Sequence, residues 1–294
     1  MPDEPAGSVR VLTRGNRWEA KTGMTTRPES ASSSYCEIAP PARFRRDLLC
    51  SWVGIVGPGG PPPRDRVLPD GCVDVIWDGE WLFVAGPDET AERLEREAGS
   101  VVVGVRLKPG RTPALTRMSV AELTGLRVDL AELWGREADQ IAERLEATAS
   151  PHLTRRLLEQ RVGVRLAEAS SADGLTAAFV AAVTSDPRLA VGRVARELGV
   201  SRRQLQRRSL AALGYGPKTF ARIMRFQRFV GLGRDDAEAQ LARLARSAGY
   251  ADQAHLTREC RRLSGLTPAE LLEWRRRVPF VQDGAGVRAL PSAV

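Results

Sequence analysis

An internal repeat constrains this chain more than any other feature, because two copies of one short pattern must build two copies of one small structure. Residues 191–220 read VGRVARELGVSRRQLQRRSLAALGYGPKTF, and residues 241–271 read LARLARSAGYADQAHLTRECRRLSGLTPAEL. Gly199 aligns with Gly249 and Ala195 with Ala245; after one inserted residue, Leu205 aligns with Leu256, Gly214 with Gly265 and Pro217 with Pro268. Val194, Ala195 and Leu198, or Leu244, Ala245 and Ala248, give a short helix one apolar face with small residues where a neighbour crosses. The glycine supplies the positive φ of a tight turn. Ser201 or Asp252 then caps a second helix, which Leu205 or Leu256 holds inward. Its outer face is polar: Arg202, Arg203, Gln206 and Arg207 in the first copy, Gln253, His255, Thr257 and Arg258 in the second. Pro217 opens a helix through Phe220, Ile223, Met224, Phe226 and Val230, apolar enough to join the two units rigidly.

Charge is segregated in the same way. Residues 188–277 hold 20 of the 44 Lys and Arg residues but only 8 of the 36 Asp and Glu, so the remainder of the chain is mildly acidic despite the net +8. All of those 20 except Lys218 are arginine, whose planar fork suits phosphate and guanine edges. A G+C-rich genome favours arginine but does not cluster it. A segregated basic block implies a polyanion-binding surface, and Arg and Gln on the outer helix faces are the side chains that read guanine and adenine bidentately.

The 294 residues suit two domains, so an α+β protein is expected: a β-rich first domain with trailing helices over 35–169, and an all-α second domain over 174–277 with two helix-turn-helix units joined by a linker helix. Residues 1–34 have no apolar period and are expected to be a disordered leader, with Met24 a candidate native start beside Met1; residues 278–294 are expected to be a mobile tail. Apolar runs at 48–56, 72–77, 80–86 and 101–107 predict strands, and GPGGPPP (57–63) a loop. Ser119 with Glu122 predicts a capping box, Asp129 a second cap, Trp134–Ala149 an amphipathic helix, and Pro151 the start of another through Leu166. Residues 170–174 are the best domain boundary.

The repeat, with AGYADQAHLTRECRRLSGLTP (248–268) as its most specific stretch, resembles the DNA-binding domain of the AraC/XylS family of bacterial transcription regulators over residues 174–277. The resemblance implies two recognition helices set into successive major-groove segments on one DNA face. It implies base contacts from Arg203, Gln206 and Arg207 and from Gln253, Thr257 and Arg258. The family usually has aromatics where this chain has Leu256, Cys260 and Leu263, and a large apolar residue in place of Ser209. Cys36 to about Leu145, with RVLPDGCVDVIW (66–77), VAGP (84–87) and GVRLKPG (104–110), resembles the amino-terminal domain of a subset of such regulators. The expected partners are double-stranded DNA, a small-molecule effector or a second copy of the chain at the first domain, and RNA polymerase if the protein activates.

The other chemistry-bearing residues leave alternatives. Asp70, Cys72 and Asp74 form either a ligand or metal cluster, or a tight turn at Asp70-Gly71 with a buried Cys72. Trp52, Trp77 and Trp81 line a pocket or fill a core. Cys36, Cys50 and Cys72 carry the rival reading, a cysteine-dependent DNA-repair or redox-responsive protein tethered to DNA by the helical domain. Four cysteines without a CxxC pair and two histidines, His152 and His255, predict no metal site. GxGxxG, Walker A, GxSxG and HExxH motifs are absent, so no enzyme activity and no cofactor are expected. The amino terminus lacks a signal peptide's apolar stretch and no segment reads as a membrane span, so a cytoplasmic location is expected.

Overall fold

The computed structural model describes residues 34–57, 65–94, 97–116, 118–169, 173–235, 240–277 and 280–283. The expected leader up to residue 33, with Met24, most of the expected loop at 57–63, and the tail beyond 283 lie outside these residues. The first domain runs β1 (Ser34–Ile38), β2 (Leu48–Ile55), β3 (Asp65–Val67), β4 (Val73–Trp77), β5 (Leu82–Ala85), β6 (Glu92–Leu94), β7 (Val101–Leu107), α1 (Thr112–Thr116), β8 (Arg127–Asp129), α2 (Leu130–Trp134), α3 (Arg136–Glu146) and α4 (Pro151–Glu168). The second runs α5 (Gly174–Ser185), α6 (Val191–Glu197), α7 (Arg202–Leu213), α8 (Pro217–Asp235), α9 (Leu241–Ala248), α10 (Gln253–Ser264) and α11 (Pro268–Arg277), followed by β9 (Phe280–Asp283).

Seven strands form one sheet in the order β8-β5-β4-β7-β2-β1-β9, while β3 and β6 make a separate ribbon. All four strands expected from apolar runs are present. The central β7 carries VVVGVRL and is buried along most of its length, as a strand covered on both faces should be. On β4 the alternation is visible: Val73, Val75 and Trp77 enter the main core, which α2, α3 and α4 close, and Asp74 and Ile76 point to the other face. Trp52 lies on that second face, and a Cβ at Gly104 would strike its ring, so the strand needs glycine there.

Three expectations are corrected. Ser119 makes no side-chain cap; the Glu122 amide donates to the Ser119 carbonyl at 3.0 Å, and a single 3-10 turn, Val120–Glu122, replaces the capping-box helix. Trp134 ends α2 and does not begin the next helix, because Gly135 at φ 57° breaks the chain direction and α3 starts at Arg136. The tail is not wholly mobile: Phe280–Asp283 pairs in parallel with Tyr35–Ile38. An edge strand offers unpaired backbone groups that another segment can join with little demand on side chains, which is why no apolar alternation announced β9.

The helical domain has its own core around α8, where Phe220, Ile223, Met224, Phe226, Phe229 and Val230 are buried. Both repeat units pack on this helix, as the apolar content of 217–230 predicts. Asp173 caps α5 by accepting from the Thr176 amide at 3.3 Å, which places the expected boundary at a helix start.

Candidate nucleic-acid interface

In the first unit, α6 ends in a turn at Gly199 with φ 66°, and Ser201 caps α7. The Ser201 hydroxyl accepts from the Gln204 amide at 3.2 Å while the Ser201 amide donates to Gln204 Oε1 at 2.9 Å, so the capping box of this protein lies here. In the second unit, Gly249 at φ 95° ends α9, and Asp252 Oδ1 accepts from the His255 amide at 2.6 Å to start α10. Gly214 (φ 84°) and Gly265 (φ 72°) close α7 and α10 in the left-handed conformation. Leu205 and Leu256 are fully buried. The repeat is thus a structural repeat, with every aligned cap and anchor in the same role.

The expected reading residues divide into two groups. Arg202, Arg203, Gln206 and Arg207 are all exposed on α7, as are Gln253 and Arg258 on α10. Arg203, Arg207 and Arg258 make no ion pair among the described residues, so their guanidinium donors remain available. The Arg202 fork instead lies back against Gly192 of α6, and the Gln206 amide lies beside Gly216. His255 and Thr257 are half-buried: the His255 ring meets Tyr250 edge-on at 5.2 Å, and the Thr257 hydroxyl donates to the Gln253 carbonyl at 2.9 Å. Both are partly occupied with holding the first turn of α10.

The outward faces extend beyond the residues expected from spacing alone. Leu210 lies one turn beyond Arg207 and is 36% exposed, and Arg261 occupies the equivalent place beyond Arg258. Arg193 and Arg196 on α6 align with Arg243 and Arg246 on α9, and all four are exposed. Their signal was in the repeat itself, since arginine recurs at the same two positions of each first helix. In a helix-turn-helix the first helix crosses the sugar-phosphate backbone, where such charges serve.

In the first domain Glu37, Trp52, Asp74 and Arg106 bind one another. Arg106 Nε and Nη2 donate to the two oxygens of Asp74, each at 3.0 Å, and Nη1 donates to Glu37 Oε1 at 3.1 Å. Trp52 Nε1 donates to Asp74 Oδ2 at 3.2 Å. Burial pushes the Asp74 carboxyl up, and the Arg106 charge opposes that rise. Asp70 Oδ1 accepts the Cys72 amide at 2.9 Å around Gly71 at φ 79°, so the turn reading of Asp70-Gly71 is the observed one. Trp52 and Trp77 are buried core residues. Burial drives the Cys50 and Cys72 thiols well above the ordinary range, and burial followed by the neighbouring Glu259 pushes Cys260 up to about 12. A thiol with a raised pKa is a poor nucleophile near neutral pH, which weighs against cysteine chemistry at these three positions.

Residues 194–274 match a family model described as a helix-turn-helix domain. The carboxy-terminal region is an AraC-type helix-turn-helix domain. It is the DNA-binding module of transcription regulators. Residues 36–129 match a second family, described as a domain of unknown function, DUF6597. No curated protein is matched. Among solved structures the chain is similar to an apo variant of ToxT from Vibrio cholerae, at 12% identity and a TM-score of 0.42 over 84% of this chain and 99% of that one. It is also similar to unsaturated fatty acid bound wild-type ToxT from the same organism, at 12% identity and a TM-score of 0.40 over 84% of this chain and 96% of that one. The AraC-type domain spans both repeat units and α8 between them. Among the described residues, no helix is long and apolar enough to cross a membrane.

Proposed function

We propose that this protein is a sequence-specific transcription regulator that reads two major-groove segments of duplex DNA with α7 and α10. The observation that carries the reading is the pair of equivalently capped helices presenting exposed arginines outside any ion pair among the described residues, Arg203 and Arg207 on one and Arg258 on the other. Arg193, Arg196, Arg243 and Arg246 meet phosphates from the preceding helices and set the register. Base readout then falls to Arg202, Arg203, Gln206 and Arg207 in the first unit and to Gln253 and Arg258 in the second, with His255 and Thr257 contributing from their half-buried places. Leu210 and Arg261 extend the two faces by one turn. Because the faces differ, one protomer recognises an asymmetric site. The first domain is where a small-molecule effector or a second copy of the chain exerts control, and RNA polymerase is the further partner where the regulator activates.

Selection of bound sequences from a random duplex library at physiological salt tests this. The expected result is an asymmetric motif with two segments about 34–36 Å apart, with binding that weakens steeply as salt rises. Equal affinity for every sequence would overturn the specific reading and leave a basic protein that binds DNA through phosphates alone.

A further inference from the structure

The first domain does not stand apart from the reading heads. Thr124, in the turn that follows Val120–Glu122, donates its hydroxyl to the Gly214 carbonyl at 2.9 Å, at the C-terminal end of α7. Arg66, on β3, donates Nη1 to the Ser264 carbonyl at 2.7 Å, and the Ala91 amide donates to the Leu263 carbonyl at 2.6 Å, both in the last turn of α10. Gly214 and Gly265 are equivalent in the repeat, so the first domain grips corresponding ends of the two recognition helices. The last carbonyls of a helix have no partner within it, and a cation there is further favoured by the helix dipole. The same stretch of chain also holds the linker between the units. Gln227 of α8 donates to the Pro69 carbonyl at 2.7 Å, and a Cβ at Gly71 would come within 3.0–3.2 Å of Phe220, Met224 and the Tyr215 hydroxyl. Both the fit and the left-handed φ of Gly71 leave room for glycine alone.

Resting on the DNA-reading assignment above, we propose that the first domain sets the distance and angle between the two recognition helices, and so selects the spacing between the two DNA segments they read. Thr124 and Arg66 are positioning residues: they touch no base and act through the helix ends they hold. Their hydrogen bonds lie at the C-terminal ends, away from the N-terminal turns that carry Arg203 and Gln253. Loosening them leaves each face's base preference intact and lets one face move relative to the other.

The test uses the full chain and the motif its own library selection returns, with the two segments moved apart or together one base pair at a time. Wild type is expected to prefer one spacing. In Arg66→Ala and Thr124→Val, preference for that spacing over its neighbours is expected to fall about fivefold for each hydrogen bond removed, with the base preferences within each segment unchanged. Arg66→Lys and Thr124→Ser keep a donor and are expected to restore the profile, which separates positioning from a general failure to fold. An unchanged spacing profile in both the single variants and their combination overturns the proposal. So does tighter binding at every spacing, which would mean that the grip holds the helices off DNA. If wild type enriches no motif, the DNA-reading assignment itself fails; if it enriches one and the variants keep its spacing, only the positioning role fails.

Discussion

Laid helix on helix, α7 and α10 agree wherever the interior touches them. Leu205 and Leu256, Ser209 and Cys260, Ala212 and Leu263, and Leu213 and Ser264 are all buried at equivalent places. Outside they share one arginine, Arg207 or Arg258, and otherwise diverge: the outward stripe reads Arg203, Gln206, Arg207 and Leu210 on α7, and Ala254, the half-buried Thr257, Arg258 and Arg261 on α10. Charge leans to the N-terminal end of the first stripe and to the C-terminal end of the second. Even the flanking pair is reversed, since Arg208 binds Asp173 at the head of α5 at 2.5 Å, whereas its counterpart Glu259 faces Arg222 of α8 at 3.7 Å. The helices before them, α6 and α9, keep arginine at both shared positions. The arginines that α6 and α9 share suit the phosphate backbone, which is alike on every duplex, and the positions that change between α7 and α10 suit bases, which are not.

The largest effects test the shared interior. Leu205→Ala and Leu256→Ala each remove a fully buried anchor and should each cost about 2–5 kcal/mol. Both leucines belong to one buried cluster built on α8, so each variant should lower the stability of the whole helical domain, as read by denaturant titration. Loss confined to one unit would show that the two fold independently and would break the comparison. Next come the reading faces: Arg207→Ala and Arg258→Ala should each cost about 1–3 kcal/mol in binding and relax a different base position. Measured on a panel of single-base operator variants, a uniform loss over the panel would assign these arginines to phosphate.

The turns sharpen the comparison at a smaller scale. Gly199→Ala and Gly249→Ala both place a side chain in the left-handed region, at about 1–2 kcal/mol each. Gly249→Ala should be the worse of the two, because its Cβ would strike the Arg188 side chain while open space surrounds the one at Gly199. Equal melting temperatures for the two would contradict that geometry. Ser209 buries a hydroxyl that has no hydrogen-bond partner among the described residues, at the place where the second unit has Cys260. Ser209→Cys should therefore stabilise the first unit by about 1 kcal/mol, an unpaired buried hydroxyl being the costlier occupant. A destabilised Ser209→Cys would mean that the site cannot take the larger sulfur.

The helical domain was readable because its signals are local and doubled. A cap, a turn glycine and an inward leucine within a few residues specify one unit, and the second copy repeats them. The strands β2, β4, β5 and β7 were legible as apolar runs for the same reason. What escaped depends on distant partners: β1, β8 and β9 take their strand form from the neighbours they pair with, and Ser119 lost its expected cap to a backbone turn. Helical spacing was enough to show that Arg202, Arg203, Gln206, Arg207, Gln253 and Arg258 face outward, and all six are exposed. The edge-on packing of His255 against Tyr250 was invisible, because the first unit has Val200 and Gln204 at these places and the repeat gives no second copy of the pair. Thr124 and Arg66 were beyond reach, since a carbonyl 90 or 198 residues away leaves no trace in local spacing.

The smallest expected effect concerns acid. Partial burial alone would raise the Asp173 carboxyl, but the Thr176 hydroxyl, the Arg208 charge and the amides of Thr176 and Leu175 outweigh it, so its pKa lies below the ordinary value. A carboxylate depressed in the folded state stabilises that state at pH values above its unfolded pKa, about 3.9, and the contribution is lost as pH falls through the lower folded value. Near the second unit Glu270 is also depressed, by the backbone amide and hydroxyl of Thr267, but it lies at the start of α11 and does not touch α10. Of the carboxylates held below the ordinary value, Asp173 is the one that braces a recognition helix, through Arg208. Below about pH 4 the amides of α7 should therefore lose hydrogen-exchange protection before those of α10, by an amount within the roughly 0–1 kcal/mol of an exposed ion pair. Asp173→Asn should already show the reduced protection of α7 at neutral pH and remove its dependence on pH. If α7 and α10 lose protection together in wild type, the two units share a single acid response, and the difference drawn between Arg208 and Glu259 has no energetic consequence.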